Sequence, residues 1–291
     1  MFPSRFQYEA PTSIAEAIEI LSTAPDAKVL AGGQSLIPMM KLRFASPATI
    51  VDINNIPGLD YHRPGKDGSF RIGALCRHAH LEKSTTLSDE QPLLASAAEL
   101  VADPIVRTRG TFVGSLCHAD PQGDWASCMV ALGGSVVAQG PNGTRVISVD
   151  DLVSGPFTTT LAHNEIAIEG AVPKAKGTRT GAYLKLERRV GDFATAGAAV
   201  SLDMSDGKVL NAGIGLTGVG ARTVNASEAA QMLIGSSLES DVVAAAAEAA
   251  AGASNPRGDH RGSSAYKKHI VSTFVERIVT NIRQSEMAGA R

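Results

Sequence analysis

Hydrophobic positions follow first a strand period and then a helical period over the opening 57 residues. Phe6-Gln7-Tyr8 predicts a short strand, and Ser13 with Glu16 three residues later predicts a helix that begins with a capping box. The apolar positions of that helix are Ile14, Ala17, Ile18 and Leu21. Apolar runs at 28–31 and 49–53 predict two more strands. Residues 1–57 are therefore expected to form a small strand–helix–strand domain.

The remainder, 58–175 and 176–291, mixes the same two periods, which predicts two further α+β domains. In 58–175 the predicted elements are a strand at 70–74, a helix at 92–102 and a hairpin whose strands, 135–138 and 144–147, flank Gly140-Pro141-Asn142-Gly143. Pro173–Thr180, rich in Lys, Gly and Thr, is expected to be the linker. In 176–291 the predicted elements are strands at 183–187, 194–204 and 209–216 and helices at 225–233, 239–251 and 263–284.

The composition indicates an ordinary globular protein and excludes several classes of partner. It is 44% hydrophobic and 19% charged, with 27 basic and 29 acidic residues spread along the chain. Because there is no basic stripe or acidic tail, neither nucleic acid nor an anionic membrane is an expected partner. No apolar run is long enough for a transmembrane helix, and the first residues lack a signal-peptide pattern.

Three cysteines, Cys76, Cys117 and Cys128, limit the redox chemistry open to the chain. An odd number without paired spacing argues against a disulfide framework and favours a reducing cytoplasm as the location. Three thiolates are also one too few for a four-cysteine iron–sulfur cluster, so no such cluster is expected within this chain.

Two glycine-containing segments are candidate phosphate sites. Leu30–Leu36 follows a predicted strand, and its Gly32-Gly33 pair lets backbone N–H groups turn inward while Ser35 adds a hydroxyl donor. Arg107–Ser115 combines glycines with two hydroxyl side chains and two arginines. Together the segments would hold the two halves of a pyrophosphate. The simpler alternatives are a tight turn for the first and a surface loop with ordinary ion pairs for the second.

Side chains further along the sequence are candidates for the rest of a nucleotide site. Asp120 or Asp124, near a predicted helix start, either caps that helix or accepts hydrogen bonds from ribose hydroxyls. Lys185 and Phe193 would bring a cation and an aromatic ring to a flat redox cofactor, whose reduced form a positive charge favours. The alternative for these two residues is a half-buried strand and a turn with solvated charges.

The histidines suggest less. His118 and the aspartates after it are compatible with a metal site, but no clear set of further ligands accompanies them. His78 and His80 are expected to be an exposed pair on a strand. No G-x-G-x-x-G run opens a predicted helix, and P-loop and G-x-S-x-G motifs are absent from the sequence, so a dinucleotide would need a different architecture.

In this order, the motifs resemble those of a known family. The most specific runs are Ala31–Arg43, Val106–Thr111 and Gly191–Ala196, and the resemblance extends from Phe6 to the C-terminal helix. The chain resembles the medium, FAD-binding subunits of the molybdenum hydroxylases, the relatives of xanthine dehydrogenase and aerobic carbon monoxide dehydrogenase. The resemblance implies an α+β fold with a two-part FAD-binding domain of the vanillyl-alcohol-oxidase-like (PCMH) type, followed by a C-terminal α+β domain.

The resemblance also implies an FAD site. The two glycine segments would embrace the pyrophosphate, Asp124 would lie on the ribose side, and Lys185 and Phe193 would lie beside the flavin ring. The full implied set is Ala31, Gly32, Gly33, Gln34, Ser35, Leu36, Val101, Thr111, Gly114, Ser115, Asp124, Ile166, Lys185 and Phe193. Val113 departs from the family pattern, because relatives commonly have the first glycine of a second Gly-Gly pair at that position.

In the resembled complexes a large molybdenum–pterin subunit oxidises the substrate, and a small subunit carries two [2Fe-2S] clusters that deliver electrons to the FAD. The resemblance therefore implies both partners, assembled as a dimer of heterotrimers, and an external electron acceptor. It implies no catalytic residue and no metal ligand in this chain. Carbon monoxide, an aldehyde, a purine or another N-heterocycle remains open as the substrate, and the run Gly191–Thr195 favours the carbon monoxide dehydrogenase-like branch.

Two other functions stay open from the sequence. A self-contained FAD-dependent oxidoreductase of the same fold superfamily would need an acid or base beside the flavin, for which His118 is the candidate. A non-redox nucleotide-binding module would show no flavin absorbance after FAD is added.

Overall fold

Three β-sheets follow one another along residues 2–289, the part of the chain that the computed structural model describes. The N-terminal elements are β1 (Gln7–Glu9), α1 (Ile14–Thr23), β2 (Ala27–Leu30), α2 (Leu36–Lys41) and β3 (Thr49–Asp52). The strands form a parallel sheet in the order β1-β3-β2. The Ser13 cap is confirmed, since Ser13 Oγ accepts from the Glu16 N–H (3.2 Å), while the Glu16 carboxylate accepts from the N–H of Thr12, one residue before the cap (2.8 Å).

The second sheet is antiparallel and is surrounded by short helices. Its strands are β4 (His62–Pro64), β5 (Phe70–Gly73), β6 (Ser135–Gly140), β7 (Gly143–Ser148) and β10 (Ile166–Val172). A separate two-stranded sheet consists of β8 (Val153–Gly155) and β9 (Thr158–Thr159). The helices are α3 (His78–Glu82), α4 (Thr85–Glu90), α5 (Pro92–Ala98), α6 (Pro104–Arg107), α7 (Phe112–His118), α8 (Asp124–Ala131) and α9 (Val149–Leu152). The sheet order is β4-β5-β10-β6-β7, and β8 pairs with β9.

A four-stranded antiparallel sheet covered by long helices completes the chain. Its elements are β11 (Thr178–Leu186), β12 (Ala196–Ser205), β13 (Lys208–Thr217), β14 (Val224–Asn225), α10 (Ser227–Leu233), α11 (Ser240–Ala253) and α12 (Ser264–Gly289). Ile214 and Leu216 of β13 belong to one hydrophobic core together with buried residues of α10, α11 and α12. Because side chains alternate along a strand, Gly213 and Gly215 lie on the opposite face, and there α8 approaches the backbone directly.

Two predicted boundaries were wrong. The helix predicted at 92–102 ends at Ala98, and Ala102 has a left-handed backbone with φ 51°. The linker predicted at 173–180 is shorter, because β11 already begins at Thr178. Arg179 in that strand is buried and forms an ion pair with Asp203 (2.9 Å), a contact across the sheet that local composition does not reveal.

Among residues 2–289, none of the helices combines the length and the apolar character needed to span a membrane.

Helix α8 can pack on β13 only because Gly215 lacks a side chain. A Cβ at Gly215 would collide with the carbonyl oxygen of Ser127 and lie 2.8 Å from its carbonyl carbon. We therefore expect Gly215→Ala to destabilise the protein by about 3 kcal/mol, as overpacking against fixed backbone does. Urea unfolding measures the loss.

Gly252→Ala is the matched control. Gly252 lies in α11 with open space around the position of its missing Cβ, so this alanine should leave stability unchanged or raise it by about 0.5–1 kcal/mol. Equal unfolding midpoints for the two variants would contradict the packing described for α8.

Candidate functional site

A cleft of about 550 Å³ opens where the N-terminal sheet meets the helices of the second region. This volume falls in the range of ordinary ligand and cofactor sites. The cleft brings together residues that lie far apart in the sequence, and every residue of the predicted set except Lys185 lines it. Those residues are Ala31, Gly32, Gly33, Gln34, Ser35, Leu36, Val101, Thr111, Gly114, Ser115, Asp124, Ile166 and Phe193.

The two glycine segments touch each other at the bottom of this cleft. A Cβ at Gly32 would collide with the Arg109 carbonyl oxygen and would lie 2.8 Å from Gly110 Cα and 3.0 Å from the Thr111 nitrogen. Gly33 has a φ of 75°, a backbone conformation that glycine adopts without strain. Gly32 is therefore needed for the close approach of the two backbones, which a tight turn alone would not require, whereas Gly33 is needed for its own backbone conformation.

A hydrogen-bonded clamp behind the cleft fixes this approach. The Ala31 carbonyl accepts from Asn54 Nδ2 (2.8 Å), and Asn54 Oδ1 accepts from Arg77 Nη2 (2.5 Å). Arg77 Nη1 also donates to the Arg109 carbonyl (2.5 Å), which joins the first glycine segment to the second. Sequence reasoning missed Asn54 and Arg77, because neither belongs to a glycine-rich run and each acts 23 or 32 residues from its partner.

Each segment leads into a short helix. Ser35 precedes α2 and Thr111 precedes α7, and neither side chain caps its own helix. The first N–H groups of a helix lack intrahelical acceptors and favour anions. Thr111 Oγ1 is buried and finds no hydrogen-bond partner among residues 2–289, and a Cβ at Gly114 would lie 2.5 Å from it. An unpaired buried hydroxyl beside two helix starts fits a diphosphate.

The second segment differs from the sequence expectation in two ways. It is helical from Phe112, and neither Val113 nor Gly114 has a positive φ, so valine is accommodated without backbone strain. Arg107 is buried and forms a forked pair with the Glu82 carboxylate (2.8 and 3.0 Å). The ordinary ion pair, which was the simpler alternative, is thus correct for Arg107.

A buried charge network lies beneath the cleft. Asp124, the first residue of α8, accepts from the Tyr183 hydroxyl (2.7 Å) and from Lys185 Nζ (3.3 Å). Lys185 Nζ also lies 3.3 Å from Glu187 Oε2 and donates to the Leu100 carbonyl (2.5 Å). Burial raises the pKa of Asp124, and the neighbouring ammonium opposes that shift. Lys185 therefore lies below the lining of the cleft, with its charge balanced by two carboxylates.

Phe193 lies at the rim on the turn between β11 and β12, with 51% of its surface exposed. A residue from the loop between α11 and α12 holds that turn, since Arg261 donates to the Phe193 carbonyl (2.7 Å) and to Asp192 Oδ1 (3.2 Å). Gly191, with a φ of 83°, lets the turn lie against Ala102. The turn that carries the aromatic ring is thus held by contacts from two other segments.

Two histidines, His78 and His118, are among the described residues that line the cleft. His78 is buried on α3 and accepts from the Trp125 indole (3.1 Å), and burial lowers its pKa to about 4. The expectation of an exposed strand pair is therefore wrong for His78, whereas His80 is exposed but also helical. Burial also lowers the pKa of His118, and its Nε2 lies 4.0 Å from Asp120 Oδ2. Cys117 stays a protonated thiol, because burial raises its pKa to about 12.

Comparisons with known proteins agree with this geometry. The family model described as the FAD binding domain in molybdopterin dehydrogenase matches residues 4–175, and that of the CO dehydrogenase flavoprotein C-terminal domain matches residues 181–282. The carbon monoxide dehydrogenase medium chain of Hydrogenophaga pseudoflava is 41% identical over 95% of this chain and 96% of its own length. The nicotine 6-hydroxylase medium subunit of Paenarthrobacter nicotinovorans is 35% identical over 98% of each chain.

Solved structures show the same fold. A carbon monoxide dehydrogenase from Hydrogenophaga pseudoflava superposes with a TM-score of 0.92 at 41% identity, covering 96% of this chain and 98% of the other. Quinoline 2-oxidoreductase from Pseudomonas putida 86 superposes with a TM-score of 0.90 at 31% identity, covering 99% and 100%. The chain belongs to the FAD-binding medium subunits of the carbon monoxide dehydrogenase and xanthine dehydrogenase family of molybdenum hydroxylases.

Proposed function

We propose that FAD lies in the cleft with its pyrophosphate between the two glycine segments, and that the chain relays electrons for a larger enzyme. The observation that carries the site is the backbone contact of Gly32 with Gly110 and Thr111, next to an unpaired buried hydroxyl. Bound FAD would supply a carrier that takes up electrons from one partner and releases them to another. The residues of this chain bind it, orient it and limit its contact with water.

In this proposal, backbone N–H groups contribute more than side-chain cations to balancing the negative charge of the phosphates. The helix starts at Ser35 and Thr111 direct N–H groups and two hydroxyls toward the place proposed for the phosphates. Arg107 forms an ion pair with Glu82, so its guanidinium is not proposed to bind a phosphate. Val101 and Ile166 line the same cleft and would cover the apolar parts of the cofactor.

The proposed flavin end is the one near Phe193 and the Lys185 network. Lys185 is fixed by Asp124 and Glu187, so its positive field at the cleft is partly cancelled. We propose that Lys185 and these two carboxylates together set the electrostatic potential at the flavin end of the cleft. We also propose that Phe193 shields the edge of the flavin ring. Asp124 lines the cleft and is proposed to contact the ribose side while it holds Lys185.

We propose two partners, a small subunit with [2Fe-2S] clusters and a large molybdenum subunit, in a dimer of heterotrimers. The relatives named above are medium chains or subunits, and three separate free thiols cannot form a four-cysteine cluster. The substrate would then bind the large subunit, and an external acceptor would receive the electrons. Free thiols also support the proposed cytoplasmic location.

We further propose domain boundaries at residues 57 and 175. Each of the three sheets lies within one of the resulting segments. The two family models meet between residues 175 and 181, which supports the second boundary. The first boundary rests on the end of the parallel sheet alone.

Removal of the Thr111 hydroxyl tests the pyrophosphate site. Thr111→Val should weaken FAD binding about 10- to 100-fold, because a hydrogen bond to a charged group contributes about 1.5–3 kcal/mol. The FAD-free protein should be no less stable, since the hydroxyl has no partner within the described residues. Titration of FAD by fluorescence quenching and urea unfolding give the two readouts. Thr111→Ser, which keeps the hydroxyl, is the control, and unchanged affinity in Thr111→Val would refute this placement.

Loss of the Lys185 cation tests the buried network. Lys185→Met leaves the Asp124 and Glu187 carboxylates without their cation, although the Tyr183 hydroxyl still donates to Asp124, so we expect a loss of about 3–5 kcal/mol at neutral pH. Because burial holds the pKa of Asp124 above its ordinary value, the carboxyl takes up a proton as pH falls, and the loss should shrink. Unfolding midpoints across pH measure this.

Two variants serve as controls for that measurement. Asp124→Asn combined with Lys185→Met should recover part of the stability, because the uncompensated charge is gone. Lys208→Met removes an exposed lysine and should change little. A loss in Lys185→Met that does not depend on pH would argue against coupling to Asp124.

Purification of the native assembly tests the relay. We expect FAD, iron and molybdenum to co-elute with this chain in constant ratio, and the isolated FAD-loaded chain to oxidise no aldehyde or N-heterocycle. Metal analysis across a gel-filtration profile and an assay of the separated chain are the measurements. A chain that elutes alone and still oxidises an organic substrate would favour a self-contained oxidoreductase.

A further inference from the structure

Four side chains with metal-binding atoms meet beside β4 and β5, away from the residues that line the cleft. Potential ligand atoms of Asp60, Cys76 and His80 all lie within 4.8 Å of one another. His62 Nδ1 lies 3.7 Å from Cys76 Sγ, and His80 Nδ1 lies 3.2 Å from Asp60 Oδ1. Ligand atoms of a tetrahedral zinc site lie about 3–4 Å apart, so Asp60, Cys76 and His80 must contract to surround one ion, and His62 must also approach Asp60 and His80 to complete the shell.

The orientation of His62 matches that of a metal ligand. Its Nε2 lies 2.7 Å from Ser84 Oγ, while its Nδ1 faces the thiol. Ser84 is held in place because its hydroxyl also accepts from the Leu87 N–H (3.0 Å) at the start of α4. Metal-bound histidines are typically fixed in this way through the second ring nitrogen.

Charge and access also fit a divalent cation. One thiolate, one carboxylate and two neutral imidazoles carry two negative charges, which balance the ion. Cys76 is completely buried, and a bound cation would displace its thiol proton. The side chains of Asp60 and His80 are about half exposed, at 47% and 51%, and provide a path from solvent. The Arg77 guanidinium is turned away toward Asn54 and Arg109.

We propose that Asp60, His62, Cys76 and His80 bind one thiophilic divalent cation of the zinc class in a structural site. Four protein ligands complete a tetrahedral shell and leave no position open for catalysis. The ion would brace the wall of the cleft, because the Cys76 carbonyl accepts from the Phe112 N–H (3.0 Å) and the His78 N–H donates to the Gly110 carbonyl (2.9 Å). This proposal stands independently of the FAD assignment.

Metal binding by the full-length chain tests the site. The protein is treated with a chelator, equilibrated with Zn²⁺ or Co²⁺, passed through a desalting column and analysed for metal. We expect one retained ion per chain, and for Co²⁺ an ultraviolet thiolate-to-metal band with red d–d bands beyond the absorption of flavin. Zn²⁺ should also raise the thermal unfolding midpoint, because it binds the folded state.

Variants assign the ligands. His80→Ala, at an exposed position, should weaken Zn²⁺ binding at least tenfold, and Cys76→Ser should abolish the thiolate band. His163→Ala removes an exposed histidine elsewhere and should bind like the original protein. If the unaltered chain retains no ion, or if His80→Ala retains as much Zn²⁺ as His163→Ala, the proposal is overturned. Because His80 is exposed, this comparison stands even if Cys76→Ser fails to fold.

Discussion

The close approach of two backbones at Gly32 is the constraint on which the candidate site depends. Any Cβ at this position would force apart the segments that begin α2 and α7. With the approach intact, two helix starts line one cleft, where the proposed anion would meet N–H groups from both. Asn54 and Arg77 hold the segments together from behind, so the cradle exists before a ligand arrives. Binding then requires little ordering of the backbone.

The buried network extends this construction to the C-terminal sheet. Asp124 belongs to α8, whereas Tyr183 and Lys185 belong to β11, so their hydrogen bonds join two regions of the chain under one cleft. Arg261 adds a third point of attachment through the turn that carries Phe193. A change in the packing of the C-terminal sheet is therefore transmitted to the charge and the aromatic ring at one end of the site.

Local signals in the sequence predicted most of the elements. The Ser13 helix cap, the hairpin around Pro141 and the three N-terminal strands follow from periodicity and turn chemistry, which act over a few residues, whereas the parallel pairing of those strands was not predicted. The predicted site residues, except Lys185, line one cleft. Their common location could be predicted because the family resemblance, unlike local periodicity, implies which distant segments of the chain form one site. The clamp through Arg77, the burial of His78 and the early end of α5 depend on tertiary contacts, so local patterns did not predict them.

The most direct test of the central claim is a crystal structure of this chain with FAD bound. The account predicts pyrophosphate oxygens within hydrogen-bond distance of the Gly33–Leu36 backbone and of Thr111 Oγ1, with Gly32 still against Gly110. A diphosphate bound away from this contact, or two glycine segments that separate when FAD binds, would contradict it.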